Sequence, residues 1–207
     1  MIDYKKKSKE SFDKQADTYD MGIKGEHAKK LYKTLMDKIK DENFKTVLDV
    51  GCGTGNMLNM IINKYNDVEA YGIDISDKML LKAKEKLGDR AYLTLGDSEN
   101  LPYKDDKFDL IMCNDSFHHY PNPVNVLKEF HRVLKSGGVL ILGDCWQPTV
   151  SRFIMNFCIK LGVTNCGDVK MYSEQEICSM LRKASFKNIK FELVNDKSYL
   201  VKSVKML

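Results

Sequence analysis

Residues 47–58 read Val47-Leu48-Asp49-Val50-Gly51-Cys52-Gly53-Thr54-Gly55-Asn56-Met57-Leu58. A short apolar strand ends near Asp49, three glycines follow at alternating positions, and a helical apolar pattern begins at once. A glycine-rich turn between a strand and a helix lets backbone approach a nucleotide-like ligand closely, because no Cβ stands in the way. The spacing separates ligand classes. A dinucleotide fingerprint is G-x-G-x-x-G. In this chain the third glycine comes one residue early, and Asn56 stands where that fingerprint places glycine. A nicotinamide dehydrogenase is therefore a distant reading.

The pattern continues outward in both directions. Apolar spacing predicts helices over 25–40, 56–65, 123–135, 149–161 and 174–185, and a further helix capped by Ser76 and stopped by Gly88. Short apolar runs predict strands over 46–50, 69–73, 91–95, 108–113 and 139–142. Two more, over 188–194 and 199–205, flank a hairpin turn at Asn195-Asp196-Lys197-Ser198. Apolar strands alternating with helices argue for a parallel sheet covered on both faces. Ligand loops in such sheets lie at the carboxyl ends of the strands. Asp49–Gly55, Asp74, Asp97, Asn114–Tyr120 and Asp144–Gln147 all fall at such ends. Their convergence on one edge is stronger evidence than any one motif.

Composition narrows the function classes. The chain has 207 residues, with 33 Lys and Arg against 29 Asp and Glu, a formal net charge of +4. That length suits one domain with a substantial core, and the charge is too mild to argue for nucleic acid. The basic run Lys5-Lys6-Lys7-Ser8-Lys9 reads as a solvated helix face. Six scattered cysteines with no C-x-x-C pair, no signal-peptide region and no membrane-span run fit reduced thiols in a cytoplasm. No His, Cys, Asp and Glu set has metal-ligand spacing, and no metal is expected.

Asp74 ends the second strand, where a carboxylate can accept hydrogen bonds from both hydroxyls of a ribose. Asp97 and Ser98, after the third strand, suit an adenine ring. His118 and His119 follow the fourth strand at the ligand edge, where a neutral imidazole can act as a base near pH 7 or simply orient the loop. His27 and His131 lie on helical patterns and read as structural. The apolar stretch after the fifth strand, with Trp146, Phe153, Ile154, Met155, Phe157 and Ile159, fits either a pocket wall for an apolar acceptor or ordinary helix core.

The acid-then-G-x-G-x-G loop resembles the cofactor loop of class I S-adenosylmethionine-dependent methyltransferases. The block Gly96-Asp97-Ser98-Glu99-Asn100-Leu101-Pro102-Tyr103, then Phe108-Asp109-Leu110-Ile111, His118-His119 and Leu127–Gly138, resembles the type 11 methyltransferase domain, which includes ubiquinone and menaquinone C-methyltransferases. The resemblance is strong over 46–143. It implies an α/β, Rossmann-like seven-stranded sheet, mostly parallel with an antiparallel last strand and helices on both faces. It implies one domain over 1–207: a helical lid (1–45), a cofactor-binding core (46–145), then the C-terminal helices and last two strands (146–207). It also implies that Gly51, Cys52, Gly53, Gly55, Ile75, Met79 and Gly96 line the S-adenosyl-L-methionine site. Asp49 would lie near the methionine ammonium, Asp74 at the ribose, Asp97 and Ser98 at adenine, and Asn114 by the methionine part. Phe12–Asp20 resembles a segment that closes over the cofactor, with Tyr19 facing it. Ser136 and Ser185 depart from the usual Pro and Gly, in turns away from the cofactor.

The expected function is transfer of a methyl group to a small molecule by in-line displacement, mainly by positioning, leaving S-adenosyl-L-homocysteine. Tyr19, His118 and His119 are the catalytic candidates, and His119, Trp146 and Gln147 the acceptor-binding ones. Asn114-Asp115-Ser116-Phe117 lacks the prolyl turn of amino-group methylases of nucleic acid or glutamine. No membrane association is expected, and the chain would be a monomer or homodimer. An RNA or protein methylase, or a cofactor-binding protein without transfer activity, are the competing readings.

Overall fold

A computed structural model describes residues 3–163 and 167–206, apart from the side chains of Ile23 and Lys24. The elements run α1 (Tyr4–Gln15), α2 (Ile23–Ile39), β1 (Thr46–Val50), α3 (Asn56–Lys64), β2 (Glu69–Asp74), α4 (Asp77–Leu87), β3 (Ala91–Leu95) and β4 (Phe108–Asn114). They continue with α5 (Pro123–Val133), β5 (Leu134–Cys145), α6 (Thr149–Lys160), α7 (Glu174–Lys183), β6 (Lys187–Asn195) and β7 (Ser198–Val204).

The strands form one sheet in the order β3-β2-β1-β4-β5-β7-β6. β1 pairs in parallel with β2 and β4, and β7 runs antiparallel to both β5 and β6. The sheet is the Rossmann-like architecture that the sequence implies. Strand order reverses direction between β1 and β4, and a cleft opens at such a switch point beyond the strand ends.

Alternation within the strands divides the core. Val47, Leu110, Met112 and Ile141 face the side covered by α2, α3 and α4, with Leu31, Leu35, Leu58, Ile61 and Ala83. Leu48, Ile111, Cys113 and Leu140 face the side covered by α5 and α7, with Leu127, Phe130, Ile177 and Leu181. Such strands are buried on both faces, which is why they read as unbroken apolar runs. Phe130 is fully buried, and its truncation to Ala would cost about 3–5 kcal/mol.

Three local readings change. α5 stops at Val133 rather than at residue 135, because Leu134 is already extended and pairs with Phe108. Gly137 and Gly138 lie inside β5, exchanging backbone hydrogen bonds with Lys205 (2.8 and 3.0 Å), rather than closing a helix. In α6, Val150, Phe153, Ile154 and Phe157 are exposed, and Ile159 is the buried residue. Most of that apolar stretch is therefore exposed, with Ile159 alone of α6 reaching the core. Among the described residues, no helix is long and apolar enough to cross a membrane.

Candidate active site

The loop after β1 is fastened to the end of β2. The amides of Gly51 and Cys52 both donate to the Ile73 carbonyl (2.9 and 3.2 Å). Gly51 has φ +73°, and a Cβ there would come within 2.7 Å of the Ser116 Cβ. Gly53 has φ +52°, and a Cβ would meet nothing within 4 Å among the described residues. The first glycine lets two loops touch, and the second leaves a gap at the cleft wall. Gly55 does neither: it sits against Leu87 and Ala83 of α4, and it does not line the cleft.

Asp74 organises the floor. Its Oδ2 accepts from the Gly53 amide (2.8 Å) and its Oδ1 from the Ser76 amide (2.9 Å). Burial raises its pKa, and the backbone donors partly offset that. These bonds leave lone pairs on the carboxylate for hydroxyls in the cleft. Asp49, two residues before Gly51, is 2% exposed. Burial first, then the charge of Asp74, pushes its carboxyl up to about 7. Asp49 and Cys52 line a narrow extension of the cleft with Tyr19, Tyr32, Gly53 and Asn114.

The main cleft, about 740 Å³ with its open mouth, runs past Gly51, Gly53, Asp74, Ile75 and Met79 to Gly96, Asp97 and Ser98. α1 forms its roof and is held by charge pairs. Lys5 Nζ reaches Asp97 (2.7 Å) and Glu99 (3.0 Å). Asp13 accepts from Ser76 Oγ (2.6 Å), and Lys9 pairs with Asp13 (2.7 Å) and Asp77. Beyond α1, Asp20 accepts from Thr54 Oγ1 (2.7 Å), Asn56 Nδ2 (2.8 Å) and Lys86 Nζ (2.7 Å). The basic run is therefore in part a set of ties between the roof and the loops after β2 and β3.

A second chamber adjoins the first. Phe12, Tyr19, Asp115 and His119 line both, and the second adds His27, His118, Cys145 and Asp168. His118 Nδ1 pairs with Asp144 Oδ1 (2.6 Å), while the His118 amide donates to Asp144 Oδ2 (2.9 Å). Burial opposes the charge on His118, but Asp144 outweighs it and the pKa rises. His119 goes the other way: burial, then its neighbour His118, lowers it to about 4. Phe12 meets the His119 ring edge-on at 5.2 Å. His27 Nδ1 pairs with Asp115 Oδ1 (2.6 Å). Tyr19 is largely buried, which raises its pKa.

The structure thus brings Tyr19, Gly51, Gly53, Asp74, Ile75, Met79, Gly96, Asp97, Ser98, Asn114 and His119 to one cleft. Asp49 and Cys52 line its extension, and His118 lines the second chamber. Gly55, Trp146 and Gln147 line none of these cavities. The chain turns away after Cys145, because the Trp146 amide donates to the Lys197 carbonyl (2.7 Å). The Trp146 indole then packs near Phe191 and Tyr199, with ring centroids 5.8 and 6.5 Å away. The Gln147 carbonyl accepts from Arg152 (2.9 Å). Sequence reasoning missed Lys5, His27, Asp115 and Asp168. His27 looked structural because it sits on a helix, and Asp168 lies in a loop without periodicity.

A family model described as a methyltransferase domain matches residues 41–184. A demethylmenaquinone methyltransferase of Thermotoga maritima is 32% identical over 169 residues, covering 79% of this chain and 73% of that protein. Of the next curated relatives the chain spans 52%, 38% and 60% of the length. A Haloferax volcanii protein, solved in complex with the Trm112 methyltransferase activator, has the same fold. Its TM-score is 0.80 at 19% identity, over 97% of this chain and 98% of that one. Phosphoethanolamine N-methyltransferase 2 of Haemonchus contortus, solved with S-adenosyl-L-methionine, gives 0.73 at 14% identity, over 86% of this chain and 53% of that one. The glycine loop, the strand-end carboxylates and the matched domain agree: the chain belongs to the S-adenosylmethionine-dependent methyltransferase family.

Proposed function

We propose that this protein transfers a methyl group from S-adenosyl-L-methionine, held in the main cleft, to a small molecule held in the second chamber. The observation that carries this reading is the shared wall. Phe12, Tyr19, Asp115 and His119 border both cavities, so a donor in one abuts an acceptor in the other.

The residues present fit the donor. The open space beside Gly53 admits a close ligand. Asp74 has acceptor capacity left for ribose hydroxyls, and Asp97 and Ser98 stand at the far end for adenine. Asp49, buried with a carboxyl pushed up to about 7, suits a cationic ammonium, which would restore its charge. When bound, the sulfonium donor supplies an activated methyl group.

What the chain contributes is alignment and dryness. α1 and the segment through Asp20 lie over the cleft and limit its contact with water, and Tyr19 and His119 border both cavities. Alignment of this kind is worth roughly 7–11 kcal/mol, and a dry passage favours a reaction in which charge is neutralised. The mixed lining of the second chamber, with His27, His118, Asp168 and Met171, favours a compact acceptor with a polar reacting end. Demethylmenaquinone, the acceptor in the name of the Thermotoga maritima relative, and its reduced hydroquinone form are the first to try.

The test is calorimetric binding of S-adenosyl-L-homocysteine to wild type and Asp74→Ala, followed by methyl transfer to a panel of small hydroquinones and phenols. Binding abolished by Asp74→Ala, with turnover of at least one acceptor, supports the reading. Binding without turnover across quinol, phenol, amine and thiol panels would leave a cofactor-binding protein instead.

A further inference from the structure

We infer that His118, His119 and Asp168 together bind one divalent transition-metal ion, with an open coordination position facing the second chamber. The three residues offer one ligand atom each, clustered within 4.8 Å of one another. His118 Nε2 lies 3.7 Å and His119 Nδ1 3.5 Å from Asp168 Oδ1. Both separations are too long for good hydrogen bonds. They match two ligands about 2.1 Å from a common ion at a tetrahedral angle, which stand roughly 3.4 Å apart.

A second observation is independent of the spacing. His119 is 7% exposed, and its Nδ1 is buried with no hydrogen-bond partner among the described residues. An orphaned buried ring nitrogen is costly, and this one is directed at the Asp168 carboxylate. An unpartnered Nδ1 is free to carry the ring's lone pair, the form in which an imidazole nitrogen binds a metal.

The surroundings of His118 add a third. Its Nδ1 is fixed by Asp144 at 2.6 Å, which leaves Nε2 for the ion. A carboxylate behind a ligating imidazole sets the ring's orientation and raises its basicity. Two imidazoles and one carboxylate select zinc, iron, cobalt or nickel over magnesium or calcium. Three protein ligands with an open position mark a site that binds substrate rather than a closed structural site. The open position would seat an acceptor oxygen or sulfur, a role that rests on the methyl-transfer reading; binding of the ion does not.

The chain, stripped with chelator, is titrated with Co²⁺ and read by its visible ligand-field absorption. S-adenosyl-L-homocysteine affinity is measured on the same samples. One equivalent of Co²⁺ is expected to bind, displaceable by Zn²⁺. Asp168→Asn and His119→Gln should each weaken Co²⁺ at least about tenfold, while Asp168→Asn still binds S-adenosyl-L-homocysteine and so reports an intact fold. His131→Ala, distant from the cluster, should bind Co²⁺ as wild type does. Co²⁺ affinity equal in wild type and both ligand variants overturns the inference. Co²⁺ uptake without nucleoside binding would uphold the metal site and sink the methyl-transfer reading. Nucleoside binding without Co²⁺ uptake would sink the metal site and leave the methyl-transfer reading standing for its own turnover test.

Discussion

Binding of S-adenosyl-L-homocysteine should depend on pH through Asp49. The free protein holds this carboxyl at about 7 because burial, reinforced by Asp74, penalises its charge. Roughly one molecule in eleven is then ionised at pH 6 and ten in eleven at pH 8. A ligand ammonium selects the ionised form. Its affinity should therefore rise about tenfold from pH 6 to pH 8, or ~1.4 kcal/mol. At pH 6 nearly one proton should leave per ligand bound, measurable by calorimetry in two buffers of different ionisation enthalpy. Asp49→Asn should bind more weakly at pH 8 and lose the slope. The same residue should act in the opposite sense on stability. A raised carboxyl pKa means the folded state holds its proton longer, so stability contributed by the protonated form is lost as pH rises from about 4 toward 7. Asp49→Asn should therefore stabilise the ligand-free protein at pH 8, by up to about 4 kcal/mol for a shift of this size. Equal pH slopes in wild type and Asp49→Asn would refute the placement of the ammonium at Asp49.

Other substitutions separate folding from binding. Gly53→Ala should weaken S-adenosyl-L-homocysteine at least about tenfold while costing roughly 1 kcal/mol of stability, since its Cβ enters open cleft at φ +52°; Gly51→Ala should instead destabilise by about 2–3 kcal/mol in denaturant titrations, through collision with Ser116. Ser185 has φ +69° at the end of α7, where the Phe186 amide bonds the Leu181 carbonyl (3.0 Å); Ser185→Gly should raise stability by about 1 kcal/mol in the same titrations. Asp109 resists burial through Lys135 and the Lys45 and Thr46 donors, which hold its carboxyl down at about 2. Asp109→Asn should cost about 2–3 kcal/mol at pH 7, and because the folded pKa is depressed, the difference should shrink as pH falls from about 4 toward 2.

The parts of this molecule that were legible in the sequence are those where one physical requirement dictates a residue type. Fully apolar strands announced a sheet covered on both faces, and the glycines announced a strand-to-helix turn. The glycine spacing could not say that Gly51, Gly53 and Gly55 do different work, because that depends on neighbours from distant segments: Ser116, the open cleft, and α4. The same limit explains Lys5, which looked like one charge in a solvated run until Asp97 and Glu99 came within 3.0 Å of it. It explains Asp168 as well. A carboxylate in an aperiodic loop carries no local signal, and only folding sets it beside the His118-His119 pair. Trp146 stands away from the described cavities for a related reason. Its position after a strand end suggested the acceptor side, yet one backbone bond to Lys197 turns the chain toward Phe191 and Tyr199. Local pattern fixes where a residue sits along an element. Pairing between distant segments decides which cavity it meets, and in this protein the second chamber is built almost wholly from such pairings.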